Sequence, residues 1–140
     1  MDAISFTILG EPVAKARPSH FFNKKSGIMH GYMPKKTRAG EADARAQIVA
    51  QLPKGFVPFE CALQLDVRIF RARPQSLPKK VRYPTKRPDL DNYLKLIIDA
   101  MNSVVFRDDA QIVHIETSKE FATESNPPGA IVSVREEAEL

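Results

Sequence analysis

The sequence predicts a single α+β domain, residues 1–140, in which a small mixed sheet packs against two main helices. Its 140 residues suit one domain, and the hydrophobic content of 43% is that of a globular protein. Several short segments alternate apolar and polar residues as half-buried strands do, and two longer segments repeat apolar residues at helical spacing. We find no internal repeat and no sign of a second domain.

The strands and loops follow from this patterning. Four β-rich segments predict strands, at residues 4–9, 61–70, 110–120 and 130–135. Residues 104–106 form a further short extended run. Two segments rich in proline and cations predict loops, 11–34 with at most one short hairpin and 71–88 with no regular element.

The two helices differ in how strongly they are patterned. The first is predicted from Lys36 to Leu52 with Thr37 as its N-cap, and its apolar side is modest. The second is predicted over 90–102, with Asp89 as its N-cap directly after a proline. Its apolar residues, Leu90, Leu94, Ile97, Ile98 and Met101, form the apolar surface of the helix.

Composition excludes several classes of protein. No run approaches eighteen apolar residues, so no membrane span is expected. The N-terminus lacks the layout of a signal peptide, and Cys61 is the single cysteine, so we predict a protein of the reducing cytoplasm. One cysteine and three scattered histidines give no zinc spacing.

Positive charge is concentrated in two segments. Seven Lys or Arg and no acid lie between Pro12 and Gly40, and eight Lys or Arg and no acid between Val67 and Pro88. Such segregation favours binding to phosphate backbones, although solvated loops would show the same pattern. The candidate DNA-binding residues are Lys15, Arg17, Arg71, Arg73, Lys79, Lys80, Arg82, Lys86 and Arg87.

Three aromatic residues lie among the first group of cations. Phe21, Phe22 and Tyr32 could stack on exposed bases. The commoner use of such aromatics is to anchor a long loop to the core, and we favour that interpretation.

Acidic residues follow the second basic segment at once. Asp89 and Asp91 begin the second helix, where two carboxylates can converge, and Asp108 and Asp109 follow the helix closely. Mg²⁺ prefers such oxygen ligands, together with water and substrate phosphate. The helix is about 20 Å long and the seven residues after it span at most about 25 Å, so Asp109 could return to Asp89 within one subunit. Because the reach of these residues exceeds the length of the helix only slightly, a site shared between the two subunits of a dimer is an alternative.

Other polar residues of the helix would support this site. Asp91, Lys95 and Asp99 form a line at steps of four, which predicts that the two acids hold the lysine near the site. We assign Asp99 to orienting the ligands and Asn92 to hydrogen bonding around them. Each feature also has a plain structural interpretation: a helix cap, a charge complementing the helix dipole, surface ion pairs, or a turn before a strand.

Residues 87–119 resemble the RusA family of Holliday junction resolvases. The resemblance is carried by Arg87-Pro88-Asp89-Leu90-Asp91-Asn92, Lys95, Asp99-Ala100-Met101-Asn102, Asp108-Asp109-Ala110-Gln111-Ile112 and Lys119. The opening, Gly10 to Pro18, also resembles phage and prophage members of the family. Ser103 departs from the pattern, since glycine is frequent there.

The resemblance implies a RusA-like fold and a small homodimeric endonuclease that resolves four-way DNA junctions by paired nicks. It implies Mg²⁺ as cofactor, with Mn²⁺ able to substitute. Asp89, Asp91 and Asp109 match the catalytic acids and metal ligands, Asp108 is a neighbouring candidate ligand, and Lys95 matches the essential lysine. The metal would activate a water and neutralise charge on the phosphoryl oxygens.

Two alternatives remain at this point. The first is a non-catalytic module that binds branched DNA, and the second is a metal-dependent nuclease that prefers flaps or plain duplex.

Overall fold

The structure, a computed structural model, describes residues 3–138 and confirms a single α+β domain with a mixed sheet and two helices. The strands are β1 (Ala3–Leu9), β2 (Ser19–Asn23), β3 (Ile28–Tyr32), β4 (Leu63–Arg71), β5 (Ile112–Phe121) and β6 (Gly129–Glu136). The helices are α1 (Lys35–Gln51) and α2 (Leu90–Met101), with a single 3₁₀ turn at Asp109–Gln111. No helix within the described range is long and apolar enough to cross a membrane.

The main sheet has the strand order β1-β6-β4-β5. β6 is antiparallel to β1 and to β4, whereas β4 and β5 are parallel. A parallel pair requires a crossover connection, and here that connection carries the second basic segment and α2. The basic segment and the acidic helix therefore both belong to the crossover that joins β4 to β5.

The core lies between this sheet and the helices. On β1, Ile4, Phe6 and Ile8 alternate with exposed residues, as expected for a strand with one covered face. α2 buries the face formed by Tyr93, Leu96, Ile97, Ala100 and Met101. Packing of these two faces leaves the polar residues of α2 on its outer side.

The two edges of the sheet differ. α1 covers the β1 edge: Gln47 and Gln51 each accept a hydrogen bond from and donate one to the backbone of β1, at Leu9 and Thr7. β5 forms the opposite edge, and within the described residues no further strand pairs with it. Val113 there is 62% exposed and Ile115 41% exposed.

The local predictions need two corrections. Pro34, not Thr37, is the N-cap residue of α1; Thr37 is buried in the first turn and its hydroxyl accepts a hydrogen bond from the Ala16 N–H at 3.1 Å. Residues 104–106 form a buried turn with isolated bridges instead of a strand, because Val105 and Phe106 fill the core at the end of α2. Ser103 in that turn has a φ of 66°, which accounts for glycine being favoured at this position.

The segment 11–34, predicted as loop with at most one short hairpin, contains one such hairpin. β2 and β3 pair antiparallel as a separate two-stranded sheet, with Ser19 opposite Tyr32 and Asn23 opposite Ile28. The hairpin thus projects from the domain instead of extending the main sheet.

Candidate active site

An open cleft of about 1040 Å³ lies beside the first turn of α2. Two carboxylates, Asp89 and Glu11, line it together with four cationic residues, Lys15, Arg17, Lys36 and Arg87. The two basic segments, distant in sequence, therefore meet at the start of the acidic helix. A phosphate group could be drawn to such a surface by charge.

The carboxylates at the start of α2 are accessible. Asp89 is the N-cap residue, with extended backbone angles, but its side chain makes no capping hydrogen bond. Asp91 follows in the first turn and is exposed. A plain capping role therefore does not account for Asp89, and both carboxylates can accept a ligand from the solvent side.

Two cations from the sheet hold the backbone that leads to Asp89. Arg71 Nη1 donates to the carbonyls of Lys86 and Arg87, both at 3.1 Å. Lys119 Nζ donates to the carbonyls of Lys86 and Pro88, both at 3.0 Å. The Arg87–Pro88 peptide bond between these carbonyls is cis. The ends of β4 and β5 therefore position the start of α2. The sequence pointed to this role only through the presence of Lys119 in the family pattern.

The predicted DNA-binding residues of the second basic segment fall into two groups. Besides Arg71, Arg73 is engaged within the protein: it donates to the carbonyls of Val81 at 2.7 Å and Pro78 at 2.6 Å, and lies over the Phe121 ring. These two guanidinium groups order the segment. The exposed cations that remain for phosphate are Lys79, Lys80, Arg82, Lys86 and Arg87.

Lys15 and not Lys95 is the partner of Asp99. The Lys15 ammonium forms an ion pair with the Asp99 carboxylate, and the Lys15 N–H donates to the Asn92 carbonyl at 2.9 Å. Lys95 is exposed and makes no ion pair with the described residues, so the predicted line of Asp91, Lys95 and Asp99 does not close into salt bridges. Lys95 is consequently left with its charge toward solvent on the outer face of α2.

Asp108 and Asp109 form a compact acidic turn before β5. The Asp108 carboxylate accepts from the Ala110 N–H at 2.9 Å, and Gln111 Oε1 accepts from the Asp108 N–H at 2.8 Å. The hydrogen bond from Ala110 lowers the pKa of Asp108, and a hydrogen bond shared with Asp109 adds to this. The same shared hydrogen bond raises the pKa of Asp109, helped by desolvation and by the charges of Asp108 and Asp99. A cation bound here would relieve this crowding of like charges.

The two acidic pairs lie at opposite ends of α2. Asp89 lies at the start of the helix, next to the Pro88 carbonyl that accepts a hydrogen bond from Lys119 of β5. Asp109 lies just before the start of β5, and its carboxylate is near Asp99 in the last part of the helix. The twelve residues of α2 correspond to about 18 Å. Within residues 3–138, no three acidic, histidine or cysteine side chains form a group that could hold a metal ion. One chain therefore does not gather Asp89, Asp91 and Asp109 at a single point.

The chemistry of the available donors nevertheless suits Mg²⁺. The four candidate ligands, Asp89, Asp91, Asp108 and Asp109, are all carboxylates of exposed residues. Mg²⁺ commonly takes only one or two protein carboxylates and completes its six ligands with water and phosphate oxygens. Each acidic pair alone thus resembles part of such a site.

Comparisons with known proteins identify the class to which this fold and site belong. The family described as "Endodeoxyribonuclease RusA" matches residues 10–135. That match spans the cleft, α2 and all but the first strand of the main sheet, and the chain belongs to the RusA family of endodeoxyribonucleases.

Two relatives illustrate the similarity. "Uncharacterized protein YqaN" of Bacillus subtilis (strain 168) is 32% identical over 97% of this chain and 98% of its own length. "Crossover junction endodeoxyribonuclease rusA" of Lactococcus phage r1t is 36% identical over 54% of this chain and 57% of its own length.

Proposed function

We propose that this protein is a Mg²⁺-dependent endonuclease that resolves four-way DNA junctions by paired symmetric nicks, with Mn²⁺ able to replace Mg²⁺. It would act as a homodimer on branched DNA in the cytoplasm. The observation that carries the proposal is the position of Asp89. Its carboxylate makes no capping hydrogen bond and lies in a cleft whose other charged lining residues are mostly cations. Membership of the RusA family and the relative from phage r1t support the same substrate class.

Different residues of the chain would bind the DNA, hold the metal ion and stabilise the reacting phosphate. Arg17, Lys36 and Arg87 would hold the DNA backbone along the cleft, and Asp89 and Asp91 would provide metal ligands beside it. Lys15 would contribute to the shape of the cleft, because its ammonium is paired with Asp99. A bound Mg²⁺ would supply an activated water and neutralise charge on the phosphoryl oxygens. The exposed Lys95 would place its ammonium against the phosphate, since no acid of the described chain neutralises it.

A dimer would complete the acidic set. Because Asp89 and Asp109 occupy opposite ends of α2, an antiparallel arrangement of two subunits would set Asp109 of one beside Asp89 and Asp91 of the other. A two-fold dimer would contain two such composite sites, which matches the two-fold symmetry of paired nicks. The separation of the acids therefore favours a site shared between subunits over a site within one subunit.

The outer edge of β5 is the surface best suited to form this dimer. β1, at the other edge, is already covered by the glutamines of α1, and an uncovered edge is a template for strand pairing. Two β5 strands paired antiparallel around Ile115 would bring the Asp109 end of each strand to the Lys119 end of its partner. Lys119 holds the carbonyl of Pro88, directly before Asp89. This pairing would bring the acids of the two subunits together at each end of the paired strands.

A cleavage assay on three substrates tests the proposed function. End-labelled four-way junction, flap and linear duplex of the same sequence are incubated with the protein in Mg²⁺, in Mn²⁺ and in EDTA. We expect symmetric nicks in the junction with either metal and no products in EDTA. Junction binding without any product would favour a non-catalytic binding module. Faster cleavage of flap or duplex than of the junction would favour a nuclease that prefers those substrates.

A further inference from the structure

We propose that the β2–β3 hairpin is a base-stacking element, in which Phe22 inserts against an unstacked base at the branch point of the DNA. The proposal rests on the proposed function, because it assumes a branched DNA substrate. It concerns a surface that has no part in metal binding.

The hairpin is unusually apolar for a projecting element. Phe22 is 56% exposed and Met29 is 59% exposed, although they lie opposite each other and could shield one another. Phe21 and Tyr32 are also about half exposed. The expectation that these aromatics anchor the loop to the core is therefore wrong, and their exposure needs another explanation.

The two faces of the hairpin have different arrangements of rings. On one face Phe21 stacks on His30 at 5.2 Å and lies 6.1 Å from Tyr32, so these rings already have partners. Phe22 points to the opposite face because neighbouring residues of a strand alternate. It contacts no other ring among the described residues. The exposed ring of Phe22 is thus available there to stack on one base.

The surroundings of the hairpin favour nucleic acid over a second protein chain. The segment from Pro12 to Gly40 holds seven cations and no acid, and two of them, Lys24 and Lys25, lie at the tip. Asn23 orders that tip by accepting hydrogen bonds from the N–H groups of Lys25 and Ser26. Aromatic rings among cations are the composition of surfaces that bind single-stranded or unpaired nucleotides.

The hairpin also stands at the correct place relative to the cleft. Arg17, two residues before β2, and Pro34, two residues after β3, both line the cleft that contains Asp89. Strands of five residues extend roughly 15 Å from this base. DNA lying in the cleft with its branch point at the hairpin would therefore present a phosphate to Asp89 and an unstacked base to Phe22.

The absence of tryptophan from the sequence permits a direct test. Phe22→Trp places a single tryptophan at the proposed stacking position, and Asp91→Asn in the same chain prevents cleavage. We expect the emission of this tryptophan to be quenched on adding a four-way junction and much less on adding linear duplex. Val57→Trp, at an exposed apolar position outside the basic segments, is the matched control and should not respond.

A second measurement uses binding. Phe22→Leu keeps an apolar side chain but removes the ring, and we expect junction binding to weaken roughly 5- to 100-fold, with duplex binding unchanged. Phe22→Trp should restore junction binding. Thermal unfolding of the variants confirms that the domain is intact.

Three outcomes separate this inference from the proposed function. If the Phe22→Trp protein binds the junction but its tryptophan emission does not change, the stacking inference is overturned and the proposed function is not. A change of Phe22→Leu from dimer to monomer in sedimentation would identify a subunit contact and would also overturn it. If the parent protein neither binds nor cleaves junctions, the proposed function itself fails.

Discussion

Asp91 is the residue at which the proposed chemistry can be tested with the least structural disturbance. It is exposed in the first turn of α2, and Asp91→Asn keeps the shape while removing the charge. We expect junction cleavage to fall about 100-fold or more, because a ligand for the metal is lost. Junction binding should persist or tighten, since repulsion from phosphate is relieved. Single-turnover cleavage and gel-shift titration measure the two effects.

The matched control is Glu124→Gln, which removes a carboxylate from an exposed turn on a connection remote from α2 in the sequence. Its cleavage rate should equal that of the parent. If Asp91→Asn cleaves as fast as the parent in Mg²⁺, the assignment of this acid is wrong.

Lys95 is a candidate catalytic residue because its ammonium has no acidic partner in the described chain. Lys95→Ala should slow single-turnover cleavage about 100-fold while junction binding stays within a few-fold of the parent. Lys54→Ala, which removes another exposed lysine, after α1, should alter neither quantity. A cleavage rate of Lys95→Ala equal to that of the parent would remove this residue from the proposed chemistry.

Lys119 is a positioning residue and calls for a different readout. Lys119→Met keeps much of the aliphatic stem but removes the hydrogen bonds to the carbonyls of Lys86 and Pro88. Because Asp89 follows Pro88, we expect the Mg²⁺ concentration for half-maximal cleavage to rise about tenfold, with recovery of the rate at saturating metal. An unchanged metal dependence, measured by titrating Mg²⁺ in single-turnover cleavage, would contradict this role.

α2 is the element that could be predicted most completely from the sequence. Its apolar residues lie on one face, its start follows a proline, and its observed bounds differ from the predicted ones by one residue at the C-terminal end. Local spacing is sufficient for this, because helical periodicity depends on near neighbours only. The same holds for the alternation on β1.

Features set by distant residues were not predictable. The choice of Lys15 over Lys95 as the partner of Asp99 depends on where the first loop packs. The hydrogen bonds from Arg71 and Lys119 to residues 86–88 depend on strand pairing across the crossover. The separation of Asp89 from Asp109 follows from the same packing, because the reach of an extended chain permitted either arrangement.

The exposed edge of β5 carries a prediction of its own. Ile115→Lys places a charge at the centre of the proposed strand pairing, where like charges would face each other across the two-fold axis. We expect a folded monomer with little cleavage activity, detected by analytical ultracentrifugation, circular dichroism and the junction assay. Leu9→Lys puts the same charge on the opposite edge strand and should leave the assembly unchanged. A dimer of Ile115→Lys with parental activity would exclude this edge as the interface.

Chain topology brings the two basic segments of this protein to the same place. The crossover between β4 and β5 carries one basic segment, the first loop carries the other, and both reach the start of α2. A single subunit therefore presents one cationic surface with two carboxylates at one end of a helix and two at the other. Under the proposed function, a pair of subunits would combine these into complete sites, so the active unit would be the dimer.

Subunit mixing tests that conclusion. Asp91→Asn and Asp109→Asn chains, each inactive as homodimers, are unfolded together and refolded into mixed dimers. If the site is shared, one composite site of the mixed dimer lacks both acids, while the other retains Asp91 of one chain and Asp109 of the other. The mixed dimer should then nick one strand of the junction and fail to resolve it. Sites confined to one chain would each lack one acid, and the mixture would stay inactive on both strands.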